Sequence, residues 1–160
     1  ALVALISWIH GIPMVYHEME DGHYDVYRRI FHVRNHVAEL NAGTADYLSV
    51  RAPEGVFACL RTGAVPKEGS AAWHADYAWD TTPEVPERAS IVVVNLDGRA
   101  VSGGVSLPLE CLPEALRDAH AARDLLSGQN LSVRRDGEAC EIAVTLAPFA
   151  YTVLRFDSGT

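Results

Sequence analysis

The sequence predicts a mainly β chain, an antiparallel β-sandwich preceded by a truncated β/α unit, and two observations predict it. From Thr44 onward, short runs rich in Val, Ile, Leu and aromatic residues alternate with Gly, Pro, Asp or Asn, the spacing of a sandwich. Ahead of them, helix, loop, strand, loop and helix follow one another in the order of a β/α repeat, which does not fold by itself. The expected organisation is therefore residues 1–43 as the β/α unit and 44–160 as the sandwich domain.

Ala1 to Ile9 is almost continuously apolar and reads as the end of a buried helix, too short to span a bilayer and without the basic flank of a signal peptide. We expect it to belong to something longer. Gly11-Ile-Pro-Met-Val-Tyr16 reads as a strand with no apolar/polar alternation, as a parallel sheet covered on both faces requires. After the polar link His17 to His23, Val26, Ile30, Val33, Val37 and Leu40 mark one face of an amphipathic helix. Asn41-Ala42-Gly43 is its C-terminal signal.

The strands expected next are Tyr47 to Val50, Val56 to Arg61, Ile91 to Leu96, Val101 to Leu107, Leu131 to Arg134, Ala139 to Leu146 and Ala150 to Phe156. Asp136-Gly137 predicts a type I′ hairpin turn between two of them. Gly103-Gly104, with no helix after it, predicts a bulge or turn and not a phosphate loop. Pro113 to Ala122 reads as a short helix with Pro113 in its first turn. Thr62 to Arg88 is a long loop containing Pro, Gly and aromatic residues.

Composition bounds the function. A hydrophobic fraction of 49% with 21% charged residues is that of a globular protein. The net charge of −8 and the absence of any basic cluster beyond Arg28-Arg29 and Arg134-Arg135 argue against nucleic acid as a partner. No membrane partner is expected. Cys59, Cys111 and Cys140 form no CxxC pair, and Cys59 and Cys140 fall in apolar runs, as buried thiols do.

Gly11-Ile-Pro-Met-Val-Tyr16 with Glu20 resembles the GIPxIYYGxE motif on the eighth barrel strand of glycoside hydrolase family thirteen, the α-amylase family. Tyr27-Arg-Arg-Ile-Phe-His-Val-Arg34 followed by Leu40 is similar to that family's last barrel helix. Val56 to Arg61, Ile91 to Asn95, Asp124-Leu-Leu-Ser-Gly128 and Leu146 to Arg155 then resemble, in order, successive strands of its C-terminal β-sandwich. Where the family motif has Tyr-Gly, this chain has His17-Glu18, which points to a divergent active-site rim.

The resemblance implies that residues 1–43 are the last unit of an incomplete TIM barrel, with Gly11, Pro13, Tyr16 and Glu20 as structural motif positions. It also implies that the catalytic carboxylates lie on earlier barrel strands with no counterpart here, so no catalytic residue is expected. Glu18, Glu20 and Asp21 have no barrel to face a sugar across, and retaining hydrolysis needs two carboxyls held about 5 to 5.5 Å apart. They read as a charged turn. The expected function is a non-catalytic C-terminal region that stabilises the barrel of an enzyme acting on α-glucosidic carbohydrates.

The alternative is a carbohydrate-binding module. Trp73, Tyr77 and Trp79, with His74, Asp76 and Asp80 between them, could stack on pyranose faces and bond sugar hydroxyls. The competing reading, a hydrophobic plug anchoring the loop, is preferred because so long a loop needs apolar anchors. No cofactor or metal is expected: His17 and His23 lack the i, i+4 spacing of HExxH, and His32 and His36, which have it, lack a further ligand. Candidate partners are the missing catalytic barrel, a second copy of the chain, and an α-glucan. The apolar stripe of residues 1 to 40 is expected to be covered, either by the sandwich or by another chain.

Overall fold

A computed structural model describes residues 1–9, 21–41, 43–63 and 88–157. The strand expected at Gly11 to Tyr16 lies outside these residues, and with it the motif positions Gly11, Pro13, Tyr16 and Glu20. Trp73, Tyr77 and Trp79 lie outside them as well.

The chain is mainly β. Among the described residues eight strands, β1 (Thr44–Asp46), β2 (Val56–Thr62), β3 (Ala89–Asn95), β4 (Val101–Pro108), β5 (Ala121–Asp124), β6 (Asn130–Asp136), β7 (Ala139–Leu146) and β8 (Tyr151–Phe156), join one antiparallel sheet. Their order is β1-β2-β3-β8-β5-β6-β7-β4. The two layers expected of a sandwich are thus halves of one sheet, continuous through β5 and β6 and curled over a common core. Ile91, Val93 and Leu154 from one half meet Val105, Leu107, Ile142 and Val144 from the other.

Curling brings the free edge of β4 to the segment between β1 and β2. Arg51 exchanges both backbone hydrogen bonds with Ser106, at 2.8 and 2.9 Å, so part of an edge open to strand addition is paired. The same approach explains Gly103, whereas Gly104 lies against Glu141 of the neighbouring β7. Both glycines keep the regular register of β4 opposite Val144 and Ala143, and no bulge occurs. A Cβ on Gly103 would stand 2.7 Å from Pro53 Cγ, and one on Gly104 2.5 Å from Glu141 Cδ.

Three helices of the described residues, α1 (Leu2–Trp8), α2 (Tyr24–His36) and α3 (Ala38–Asn41), cover the outer face of β2, β3 and β8. β3 is consequently buried at every position: Ile91 and Val93 point into the core, Val92 and Val94 toward the helices. Ala4, Trp8, Ile30, Val33, Val37 and Leu40 close the second cluster with Cys59 and Val153, so the sheet covers these apolar positions of residues 1–9 and 21–40. Val26 is the exception. It is exposed, and Tyr27 takes the buried position in the first turns of α2. The predicted single helix breaks at Val37, whose φ of −112° and ψ of 99° are extended.

Several other elements differ from expectation. Tyr47 to Val50 is not a strand; β1 ends at Asp46, whose carboxylate accepts the backbone N–H groups of Leu48 and Ser49 at 2.8 and 3.0 Å and the Ser49 hydroxyl at 2.5 Å. That side-chain turn bends the chain away from its ladder. The helix expected at Pro113 to Ala122 is only a 3-10 turn at Glu114–Leu116, because Ala121–Asp124 is drawn into the sheet as β5 between β6 and β8. Pairing there outweighs the helical propensity of its alanines. The hairpin is in place, with Asp136 paired to Ala139. Its loop residues are Gly137 and Glu138, and only Gly137 (φ 59°) has a positive φ, which excludes type I′ and places glycine where a type II′ turn requires it.

Candidate functional site

The described residues hold two polar assemblies, one inside the seam between helices and sheet and one on the outer side of α2. The seam is built from helix ends. A helix leaves its last carbonyls unsatisfied, and here arginines serve them. Arg61, on β2 and 1% exposed, donates from Nε to the Glu39 carbonyl at 3.1 Å and from Nη2 to those of Leu40 and Gly43 at 3.1 and 3.3 Å. Arg34 of α2 donates in the same way to the Ser7 carbonyl in α1. Trp8 Nε1 returns a bond to the Ile30 carbonyl at 3.2 Å. A cation at a helix C-terminus is also favoured by the aligned peptide dipoles.

Glu39 is the acid of this seam. It is fully buried; its Oε1 accepts the Ser90 hydroxyl at 2.5 Å and Arg155 Nε at 3.0 Å. Burial lowers the pKa of the Arg34 and Arg61 guanidinia, and for Arg34 the charge of Arg61 lowers it further. Among the described residues, Glu39 meets Arg155 in a region that also contains Arg34 and Arg61. Neither Glu39 nor Arg61 belongs to a motif that the spacing of the chain marks out. The signal available was a charge closing the apolar run Cys59-Leu60-Arg61, on the strand that follows the end of the helical segment.

Two segments that carried the family resemblance act as turns and locks. Asp124 ends β5, and its carboxylate takes the Thr152 hydroxyl at 2.6 Å and the N–H groups of Leu126 and Ser127 at 2.8 and 3.2 Å. Beyond Asp124 the segment to Gly128 is thus a turn and not a strand, closed by Gly128 at φ 76°. Burial pushes the Asp124 pKa up, but its hydrogen bonds from Thr152, Leu126 and Ser127 outweigh that and lower it. Asn95, at the end of β3, donates to the carbonyls of Arg99 and Ala147 at 2.8 and 2.9 Å, fixing the loop that follows.

On the outer side of α2, an open groove of about 440 Å³ runs from Tyr24 to His36, with Tyr27, Arg28, Phe31 and His32 along it. Tyr27 and Phe31 stand 6.2 Å apart, and the rings of His32 and His36 stack at 4.1 Å. Among the described residues no group of three or more His, Cys, Asp or Glu side chains could hold a metal ion. None of their helices is long and apolar enough to cross a membrane. All three cysteines are free, with Cys59 and Cys140 buried and Cys111 half-buried.

No family model and no curated protein sequence matches the chain. Solved structures do. A noncanonic maltogenic α-amylase, AmyB from Thermotoga neapolitana, matches over 97% of this chain and 35% of its own, at 14% identity and a TM-score of 0.63. An Anoxybacillus α-amylase matches over 91% of this chain and 25% of its own, at 14% identity and a TM-score of 0.52. AmyP, in complex with maltose, matches over 95% and 24%, at 16% identity and a TM-score of 0.53. The chain thus spans about a quarter to a third of the length of these proteins, and at such identities the likeness is one of fold: this is a fold found in amylases.

Proposed function

We propose that the chain is the non-catalytic C-terminal region of an α-amylase-family enzyme acting on α-glucosidic carbohydrates, and that it stabilises the catalytic barrel. The observation that carries the reading is the extent of the likeness: helices and sheet together match a maltogenic α-amylase over 97% of this chain but only 35% of that protein. Another matching structure was solved with maltotriose bound. The family-like motifs of the sequence, from Gly11-Ile-Pro-Met-Val-Tyr16 to Leu146-Ala-Pro-Phe-Ala-Tyr-Thr-Val-Leu-Arg155, support the same assignment in chain order.

The proposed role is mechanical. Residues 1–43 would belong to the last β/α unit of the barrel and 44–160 to the sandwich, with the seam of Arg34, Glu39, Arg61 and Arg155 as the fastening between them. Fastening of this kind transmits stability without contributing an acid or a nucleophile. The partner on this reading is the catalytic barrel.

The test is turnover. The purified chain is expected to release no sugar from starch, maltooligosaccharides or sucrose. Turnover that survives purification and is abolished by Glu20→Gln would overturn the reading.

A further inference from the structure

The last two turns of α2 carry a pair of histidines. His32 and His36 stand four residues apart and both are exposed, so one lies above the other on the solvent side of the helix. The spacing alone makes no site, but the side chains add two facts. The rings are stacked, with centroids 4.1 Å apart and planes inclined by 30°. His36 Nδ1 lies 2.9 Å from the His32 backbone oxygen, and because a carbonyl only accepts, Nδ1 carries the proton of that bond.

We propose that His32 and His36 chelate a divalent transition-metal ion such as Zn²⁺. Imidazole suits Zn²⁺, Cu²⁺ and Ni²⁺, whereas Mg²⁺ and Ca²⁺ take oxygen ligands. With the proton on Nδ1, the lone pair of the neutral His36 ring is on Nε2. A bond from the other ring nitrogen to a backbone carbonyl is the support that fixes tautomer and ring orientation in metal-binding histidines. Two nitrogens, each about 2.0 to 2.1 Å from a tetrahedral Zn²⁺, stand roughly 3.3 Å apart. Rings stacked at 4.1 Å reach that separation by a small rotation.

The position along the helix also favours a cation. His36 is the last residue of α2, where unsatisfied carbonyls and aligned peptide dipoles leave about half a negative charge. Arg28, one turn before His32, opposes it, but its side chain is exposed and solvent screens the repulsion. The helix holds both Cα positions before the metal arrives, so once one imidazole is bound the second follows at a high effective concentration. Two histidines make a chelate and not a closed cage, and solvent fills the remaining coordination positions. The site depends on no amylase-type assignment.

The experiment is a titration of the untagged full chain with zinc chloride, followed by calorimetry and by NMR of the imidazole nitrogens. The Nε2 resonances of His32 and His36 are expected to move on binding while His36 Nδ1 keeps its proton. His32→Ala and His36→Ala should each raise the Kd for Zn²⁺ by roughly tenfold or more, whereas His23→Ala and His120→Ala should change it by less than about twofold. Magnesium at the same concentration should leave the imidazole resonances in place. Both members of the pair are exposed, and the far-UV helical signal checks that α2 is intact in the variants; if it is not, the shifts of the unmodified chain decide alone. Zinc binding that survives both alanine variants overturns the site, as does binding reported by other histidines while His32 and His36 stay unshifted. Metal bound through His36 Nδ1 overturns it too, because the bond to the His32 carbonyl would then not be what orients the ring.

Discussion

The carboxylate of Glu39 on α3 receives Arg155 Nε of β8 at 3.0 Å, a contact between residues 116 positions apart, at a site where Glu39 is fully buried and Arg155 is 23% exposed in its side chain. It joins the end of the helical layer to the last strand. Removing one member of a buried pair leaves the other charge uncompensated, which typically costs about 3 to 5 kcal/mol. Here Arg61, held by the carbonyls of Glu39, Leu40 and Gly43, shares the loss. Glu39→Ala is expected to destabilise the chain by about that amount in urea unfolding, and Glu39→Gln by less, because the amide oxygen still accepts from Ser90. Unfolding midpoints that match wild type for both variants would contradict this.

Gly43 and Gly137 predict different costs for the same substitution. A Cβ on Gly43 would overlap the backbone oxygens of Thr62 and Glu39, neither of which can move without disturbing the β1-β2 ladder or α3. Gly137 has open space around it but a φ of 59°. Gly43→Ala should therefore cost about 1 to 3 kcal/mol or more through overpacking, and Gly137→Ala about 1 kcal/mol through strain. Equal losses, measured as changes in unfolding free energy, would show that one of these two causes is misassigned.

Local patterns carried much of this fold. The apolar runs at Val56 to Arg61, Ile91 to Leu96 and Ala139 to Leu146 all became strands, since alternation and β-branched residues act over a few neighbours. What failed depended on partners distant in sequence. Ala121–Asp124 is a strand only because β6 and β8 flank it, and Gly103-Gly104 is explained only by the approach of Pro53 and Glu141. The groove on α2 was hidden differently. The spacing of Ile30, Val33 and Val37 marks the face that meets the sheet, but it says nothing about what the opposite face presents.

Burial on both faces makes β3 the candidate for the last strand to open. All seven of its residues are buried, with β2 and β8 bonded along its edges, and β7 is similarly enclosed by β4 and β6. Amide hydrogen exchange should be slowest in Ile91 to Leu96 and Ala139 to Leu146. Slowest exchange in α1 would contradict this order.

The thiols should separate by exposure. Reactivity belongs to the thiolate, and burial pushes the Cys59 pKa up to about 11 and that of Cys140 up as well. Cys111 is half-buried. Alkylation of the native chain by iodoacetamide near pH 8 should label Cys111 first, with Cys59 and Cys140 labelled only after unfolding. Peptide mass mapping at short times checks it, and early modification of Cys59 would count against the packing of α2 on β2.

Acid should loosen the turn that Asp124 holds. Its carboxylate takes bonds from Thr152, Leu126 and Ser127, and its folded pKa lies below the ordinary 3.8 despite the opposing effect of burial. Asp46, bonded by Ser49 and Leu48, is lowered in the same direction. A group whose folded pKa is depressed stabilises the native state fully above its unfolded value, and that contribution disappears as pH falls through the folded value. Near pH 3.8 the unfolded chain binds more protons than the native one, so stability must decline on acidification. Asp124→Asn keeps an accepting oxygen but no charge. At pH 7 it should cost about 1 to 2 kcal/mol, the difference between charged and neutral hydrogen bonds. Below about pH 4 the gap to wild type should narrow, because the wild-type carboxyl is then becoming neutral as well. Urea unfolding of both proteins from pH 7 to pH 3 measures this directly, and a gap that stays constant across the range would show that the Asp124 charge does not hold the β5-β8 corner.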